Sequence, residues 1–158
     1  MMVKLITVKD VFEVNTYFYI DEETGHGFLI DPGAQPELLL EIIRKNKWTI
    51  EKILITHGHF DHIGAVKQIH EELQIPYYIH RNGKKYAEDT FWNLSSYCDR
   101  NVKLTGAEYL EDGQQIQLSN SKEKSLQVIA TPGHTTDSVI FYSEAEQLAF
   151  VGDTIFRG

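Results

Sequence analysis

The sequence predicts a layered α/β fold with two β-sheets, and three observations point there. Short β-rich runs dominate the first thirty residues, strand and helix patterns alternate from there to about residue 89, and beyond Gly106 the apolar period falls to two. Helices between strands in one half and a strand meander in the other do not suit a singly wound parallel sheet. At 158 residues the chain can build one core and is short for two, so residues 1–158 are expected to form a single domain.

The early strands are Val3 to Val8, Thr16 to Ile20 and Gly27 to Ile30. Asp21-Glu22-Glu23-Thr24-Gly25 separates the last two, and Asp31-Pro32-Gly33 closes the group, so these strands are expected to run antiparallel through turns. Pro36 opens a segment with Leu38, Leu39, Ile42 and Ile43 on one helical face, with proline in the first turn as helices prefer. Ile53-Leu54-Ile55 is a wholly apolar strand, and Ala65, Val66, Ile69 and Leu73 mark an amphipathic helix starting just after residue 61. Tyr77 to Ile79 is a strand, followed by a polar helical stretch from about Asn82 to Asp89. Residues 90–105 carry no clear period. Ala107 to Leu110, Gln115 to Leu118, Leu126 to Ala130, Ser138 to Tyr142 and Gln147 to Val151 complete the strands. There is no internal repeat, low-complexity tract or linker.

With 42% apolar and 24% charged residues, the composition is that of a folded globular protein. Fifteen Lys and Arg against 23 Asp and Glu leave a net charge of −8, which gives no general attraction to nucleic acid or anionic membranes. No apolar run approaches the roughly 18 residues of a spanning helix, and the start is too short in its apolar part for a signal peptide. The single cysteine, Cys98, cannot form an internal disulfide, and a reducing cytoplasm is the expected location. Tyr97 and Asp99 offer Cys98 no basic partner, so it is expected to be structural or incidental rather than a nucleophile.

The chemistry concentrates in His57-Gly58-His59-Phe60-Asp61-His62, directly after an apolar strand. Neutral imidazole and carboxylate are ligand types for zinc and similar divalent ions, and a loop leaving a strand end can aim alternate side chains at one point. A lone histidine would be a solvated or singly bonded surface residue; three with an aspartate in six positions form a metal-site signature. Thr131-Pro132-Gly133-His134 and Gly152-Asp153 also follow strand candidates. Taken singly, His134 is a turn histidine and Asp153 a turn or cap residue. The recurrence of a ligand-type residue at three strand ends reverses that reading.

These blocks resemble the metallo-β-lactamase fold hydrolases, and within them the glyoxalase II-like (hydroxyacylglutathione hydrolase-like) branch of small bacterial members. The resemblance rests on Thr56 to His62, Thr131 to Thr135 and Gly152 to Gly158, with Ile30-Asp31-Pro32-Gly33 as a weaker fourth block, all in family order. It implies a four-layer αββα sandwich. It also implies that His57, His59 and His134 hold a first metal, that Asp61 and His62 belong to a second, and that Asp153 bridges the two. The ions would be zinc, one or two, with iron or manganese as alternatives. A further family histidine, which follows the bridging aspartate and precedes a last strand and helix, has no counterpart up to Gly158. His26, His70 and His80 are expected to be structural or solvent-facing rather than to replace it. The second site is therefore expected to be weaker or completed from elsewhere, by a longer chain or a partner chain. A sheet lacking its last strand would leave an edge through which copies of the chain could associate.

The implied reaction is hydrolysis of a small-molecule thioester such as S-lactoylglutathione by a hydroxide held on the metal, with Asp61 orienting it and moving protons. The family's positively charged glutathione-gripping residues lie largely beyond Gly158, so the acyl and thiol parts of the substrate stay open. The alternatives are a mononuclear iron persulfide dioxygenase, a phosphodiesterase of the same fold, and a non-catalytic remnant that keeps a structural metal. The charge of −8 and the lack of a Lys/Arg-rich arm weigh against RNA as a substrate.

Overall fold

The computed structural model describes residues 1–119, 121–133, 135–152 and 154–157, with Lys122 and residues 154–157 described by their backbone alone. The described residues form eleven strands: β1 Met2–Lys9, β2 Glu13–Ile20, β3 His26–Ile30, β4 Thr49–Leu54, β5 Tyr77–His80, β6 Glu108–Leu110, β7 Gln115–Leu118, β8 Ser121–Ala130, β9 Val139–Ser143, β10 Leu148–Val151 and β11 Thr154–Arg157. The α-helices are α1 Pro36–Asn46, α2 Phe60–Ile63, α3 Val66–Leu73 and α4 Lys84–Glu88. One six-stranded sheet has the order β1-β2-β3-β4-β5-β6, and a five-stranded sheet has the order β11-β10-β9-β8-β7. The two-sheet α/β fold read from the sequence is the fold observed.

In the first sheet β1, β2 and β3 pair antiparallel, as expected, and β3 to β6 run parallel. Parallel neighbours need crossovers, and α1 and α3 supply two of them. Pro36 starts α1, Glu37 lies in its first turn, Arg44 and Lys45 lie in its last, and Lys47 ends it in the left-handed conformation. Its Leu39, Leu40 and Ile43 join Val66 and Ile69 of α3 over Phe18, Ile20, Leu29 and Ile53 of the sheet. The opposite face carries Tyr17, Tyr19, Phe28, Ile30 and Leu54, which pack on Leu126, Val128, Phe141 and Phe150 of the second sheet. Both faces of β2 are thus covered, which is why Thr16 to Ile20 reads as an unbroken buried run. The layers are helices, sheet, sheet; among the described residues no helix follows Cys98. Among the described residues no helix is long and apolar enough to cross a membrane.

Four expectations from local pattern are corrected. The run at 107–110 belongs to the first sheet, where β6 pairs parallel with β5, and not to the later meander. Alternation shows that a segment is a strand but not which sheet adopts it. The helix expected just after residue 61 is two helices, α2 and α3, interrupted at Gly64-Ala65. A Cβ on Gly64 would lie 2.2 Å from the Gly33 carbonyl oxygen, so the backbones touch there. β8 begins at Ser121, before the apolar part of its run, and β11 forms by antiparallel pairing with β10 where no strand was read.

A buried polar bond crosses the apolar interface between the sheets: the Tyr19 hydroxyl donates to Ser143 Oγ at 3.0 Å, and burial pushes the Tyr19 phenol up from its ordinary pKa. Tyr19→Phe should cost about 1 kcal/mol, because Ser143 Oγ still accepts from the Glu146 amide at 3.2 Å. Urea unfolding checks this; metal affinity should not change.

Candidate metal centre

The site is built where β4 ends. Ile55, the first residue past β4, still donates its amide to the Tyr78 carbonyl at 3.0 Å, and Thr56 is buried just beyond it. His57, Gly58 and His59 form the loop, His59 is the N-cap of α2, and Asp61 and His62 lie inside that helix. The rings of His57 and His59 are 5.1 Å apart between centroids, and those of His57 and His62 are 4.1 Å apart. His62 Nε2 lies 3.8 Å from Asp61 Oδ2. His57, His59, Asp61 and His62 are thus neighbours at one end of β4.

A residue to which the sequence reading gave no role organises them. Asp31 follows β3 and is fully buried, and its carboxylate receives three bonds. Oδ1 accepts the Thr56 amide at 2.7 Å, and Oδ2 accepts the Thr56 hydroxyl at 2.5 Å and His62 Nδ1 at 2.9 Å. Because the Thr56 hydroxyl is spent on Asp31, its oxygen accepts from His57 Nδ1, 3.1 Å away. These bonds place the proton of both rings on Nδ1 and the lone pair on Nε2. One buried carboxylate thus orients His62 directly and His57 through a hydroxyl, the arrangement by which supporting groups fix metal-binding imidazoles.

Asp31 holds a left-handed φ of 51°, which aspartate tolerates better than most residues. Thr16 fixes it by donating its hydroxyl to the Asp31 carbonyl at 2.7 Å, and the Asp31 amide donates to the Leu54 carbonyl at 3.0 Å. Gly33 is needed two residues later, since a Cβ there would stand 1.9 Å from the Asp61 carbonyl oxygen. The Ala65 amide donates to the Pro32 carbonyl at 2.9 Å, so the 31–33 turn is the seat of α2. In sequence, Asp-Pro-Gly reads as an ordinary turn, which hid the role of Asp31.

Donor atoms of Asp31, His57 and His62 all lie within 4.8 Å of one another. With both Asp31 oxygens already hydrogen-bonded, we assign it to orientation and the imidazoles to ligation. Imidazoles with a nearby carboxylate and fixed tautomers fit a zinc- or iron-type divalent ion. His134 and Asp153 lie outside the described residues. Of the described residues that follow, Val139 donates its amide to the Thr56 carbonyl at 2.9 Å, and Thr136 donates its amide to the Tyr86 hydroxyl of α4 at 3.2 Å.

The other three histidines are engaged elsewhere. His26 Nδ1 pairs with Glu51 at 2.7 Å, His70 Nδ1 bonds the Ile75 carbonyl at 2.5 Å, and His80 Nδ1 accepts the Asn82 amide at 3.1 Å. Beside the centre lies a cavity of about 430 Å³ lined by Val11, Phe12, Phe60, Asp61 and Arg100, among others. Arg100 closes one wall through a two-pronged bond to Asp10, 2.9 Å on each prong.

Residues 10–158 match a family model described as the metallo-beta-lactamase superfamily. A probable metallo-hydrolase, YqgX, of Bacillus subtilis is 34% identical over 148 residues, which are 92% of this chain and 68% of that protein. A hydroxyacylglutathione hydrolase of Francisella tularensis subsp. novicida is 35% identical over 144 residues, 91% of this chain and 49% of its own, so the chain spans about half of that relative. The crystal structure of TTHA1623 in a di-iron-bound form superposes with a TM-score of 0.79 at 31% identity, covering 98% of this chain and 74% of that one.

Proposed function

The chain belongs to the metallo-beta-lactamase superfamily, whose members are generally metal-dependent hydrolases, and from that premise we propose that it hydrolyses a small-molecule thioester at a metal centre. In this reading His57, His59 and His134 hold one ion, and Asp61, His62 and Asp153 hold a second. The observation that carries it is the Asp31 network, which presents two imidazoles by the same ring nitrogen beside a cavity lined by Asp61. The relative named hydroxyacylglutathione hydrolase supports a thioester over other substrates.

A divalent ion held there would lower the pKa of its bound water to about 7 and draw charge from the substrate carbonyl. The protein's own residues do the rest. Asp31 and Thr56 hold the His57 and His62 rings so that no reorientation is needed during reaction. Asp61, whose side chain is 25% exposed, is the carboxylate that takes up the proton of the attacking water and delivers it to the departing thiolate. Water is consumed, the C–S bond breaks, and an acid and a thiol leave. Phe12 and Phe60, 6.1 Å apart between ring centroids, give the cavity the apolar surface that an acyl group would contact.

The test compares substrate classes on the metal-loaded protein. An acyl-glutathione thioester, a bis-aryl phosphodiester and glutathione persulfide with oxygen are offered separately, and thiol release, phenolate release and oxygen uptake are followed. Thiol release from the thioester alone supports the proposal. Oxygen uptake with iron present would instead favour the persulfide dioxygenase reading, and phenolate release the phosphodiesterase.

A further inference from the structure

We propose that Asp137 is a positioning residue for the metal loop: its buried carboxylate accepts the Gly58 amide and so fixes the backbone between His57 and His59 against the 136–139 segment. The inference rests on reading His57 and His59 as metal ligands.

Asp137 is fully buried, and its Oδ2 accepts the Gly58 amide at 2.7 Å. Gly58 stands between the two histidines, so this bond restrains the His57–Gly58 peptide, one of the two whose rotation would change the spacing of their side chains. A hydrogen bond to an ionised carboxylate is short and about twice as strong as a neutral one. The niche around it is tight. A Cβ on Gly58 would lie 2.5 Å from Tyr86 Cβ and 3.2 Å from Asp137 Oδ2, and one on Gly83 would lie 2.5 Å from Ile79 Cδ1 and 3.1 Å from the same oxygen. The loop can therefore neither slide along the carboxylate nor carry a side chain at position 58.

The flanks of Asp137 are tied to the same region. Thr136 donates its amide to the Tyr86 hydroxyl and accepts from the Asn82 side chain at 3.4 Å, while Val139 donates to Thr56. Segments 56–58 and 136–139 are thereby joined at two points, by one backbone bond and one carboxylate bond. The other carboxylate oxygen, Oδ1, is buried with no hydrogen-bond partner among the described residues, and burial pushes the Asp137 carboxyl above the ordinary carboxylate range. A residue needed only to fill a turn would not bring that cost, since asparagine or serine could make a turn without burying a charge.

The test uses Asp137→Ala and Asp137→Asn, with His59→Ala as the ligand control. In metal-free wild-type protein the Gly58 amide proton should be shifted downfield and protected from exchange. Alanine should abolish both features, and asparagine, which keeps an oxygen but no charge, should retain part of each. Metal affinity from chelator competition should fall roughly 10- to 100-fold in Asp137→Ala, as for loss of other groups that support metal ligands, and less in Asp137→Asn. The visible spectrum of the cobalt-loaded protein should change in the same order. If Asp137→Ala does not fold, Asp137→Asn decides: a shifted Gly58 amide with weaker metal binding supports the proposal, and wild-type values for both overturn it. Wild-type affinity and Gly58 protection in a folded Asp137→Ala, with metal lost from His59→Ala, would overturn the proposal and leave the ligand assignment standing. Full metal content in His59→Ala would overturn both.

Discussion

Metal content should collapse when His59 is replaced by alanine. His59 caps the start of α2 with its ring 5.1 Å from that of His57, and under the proposed function it is one of three protein ligands to the first ion. Removing a direct ligand should weaken binding by more than the roughly 10- to 100-fold that loss of a supporting residue costs. The fold should be little affected, because the buried network at this end of β4 is made by Asp31, Thr56 and His62 and does not use His59. Metal per chain after dialysis against a weak chelator, with urea unfolding of the metal-free protein, separates the two effects. Unchanged stoichiometry would remove His59 from the ligand set.

The second large effect is expected at Asp31, and it strikes fold and site together. Asp31→Ala leaves the Thr56 amide, the Thr56 hydroxyl and His62 Nδ1 without the acceptor they share in a buried place. An unsatisfied buried polar group costs about 1–3 kcal/mol, and relaxation of the Thr56 hydroxyl and the His62 ring recovers part of the total, so a loss on the order of 3 kcal/mol is expected in the metal-free protein. Metal affinity should fall at the same time, by about 10- to 100-fold, because neither His57 nor His62 is then held by its Nδ1 proton. Asp31→Asn should not restore either property, since its amide nitrogen would face donors. Urea unfolding and chelator competition on the same preparations measure both losses. A stable Asp31→Ala with unweakened metal binding would show that the network is incidental to the site.

These two residues mark how far the sequence is legible. His59 is visible because imidazoles are scarce and three of them with an aspartate in six positions leave few other readings. Asp31 is not visible as an orienting group, because Asp-Pro-Gly is also the commonest kind of turn chemistry and its three donors come from residues 25 and 31 positions away. The same contrast runs through the fold. β2 shows in the sequence because both its faces are buried, whereas β11 exists by pairing with β10 and carries no period of its own to announce it. The break between α2 and α3 is set by contact of Gly64 with Gly33, thirty-one residues earlier, so helical periodicity runs through it unmarked. The sheet to which β6 belongs is likewise a property of its neighbour β5 and not of its own three residues.

The central claim is that this chain hydrolyses thioesters through metal held by its histidine loop. Its most direct test is thiol release from an acyl-glutathione thioester, measured on one preparation before chelation, after the metal is stripped, and after stoichiometric metal is returned. The account predicts turnover that disappears with the metal and comes back with it in wild-type protein, but does not come back in His59→Ala. Turnover that persists in the stripped protein, or that never appears in protein shown to be fully loaded, would contradict it.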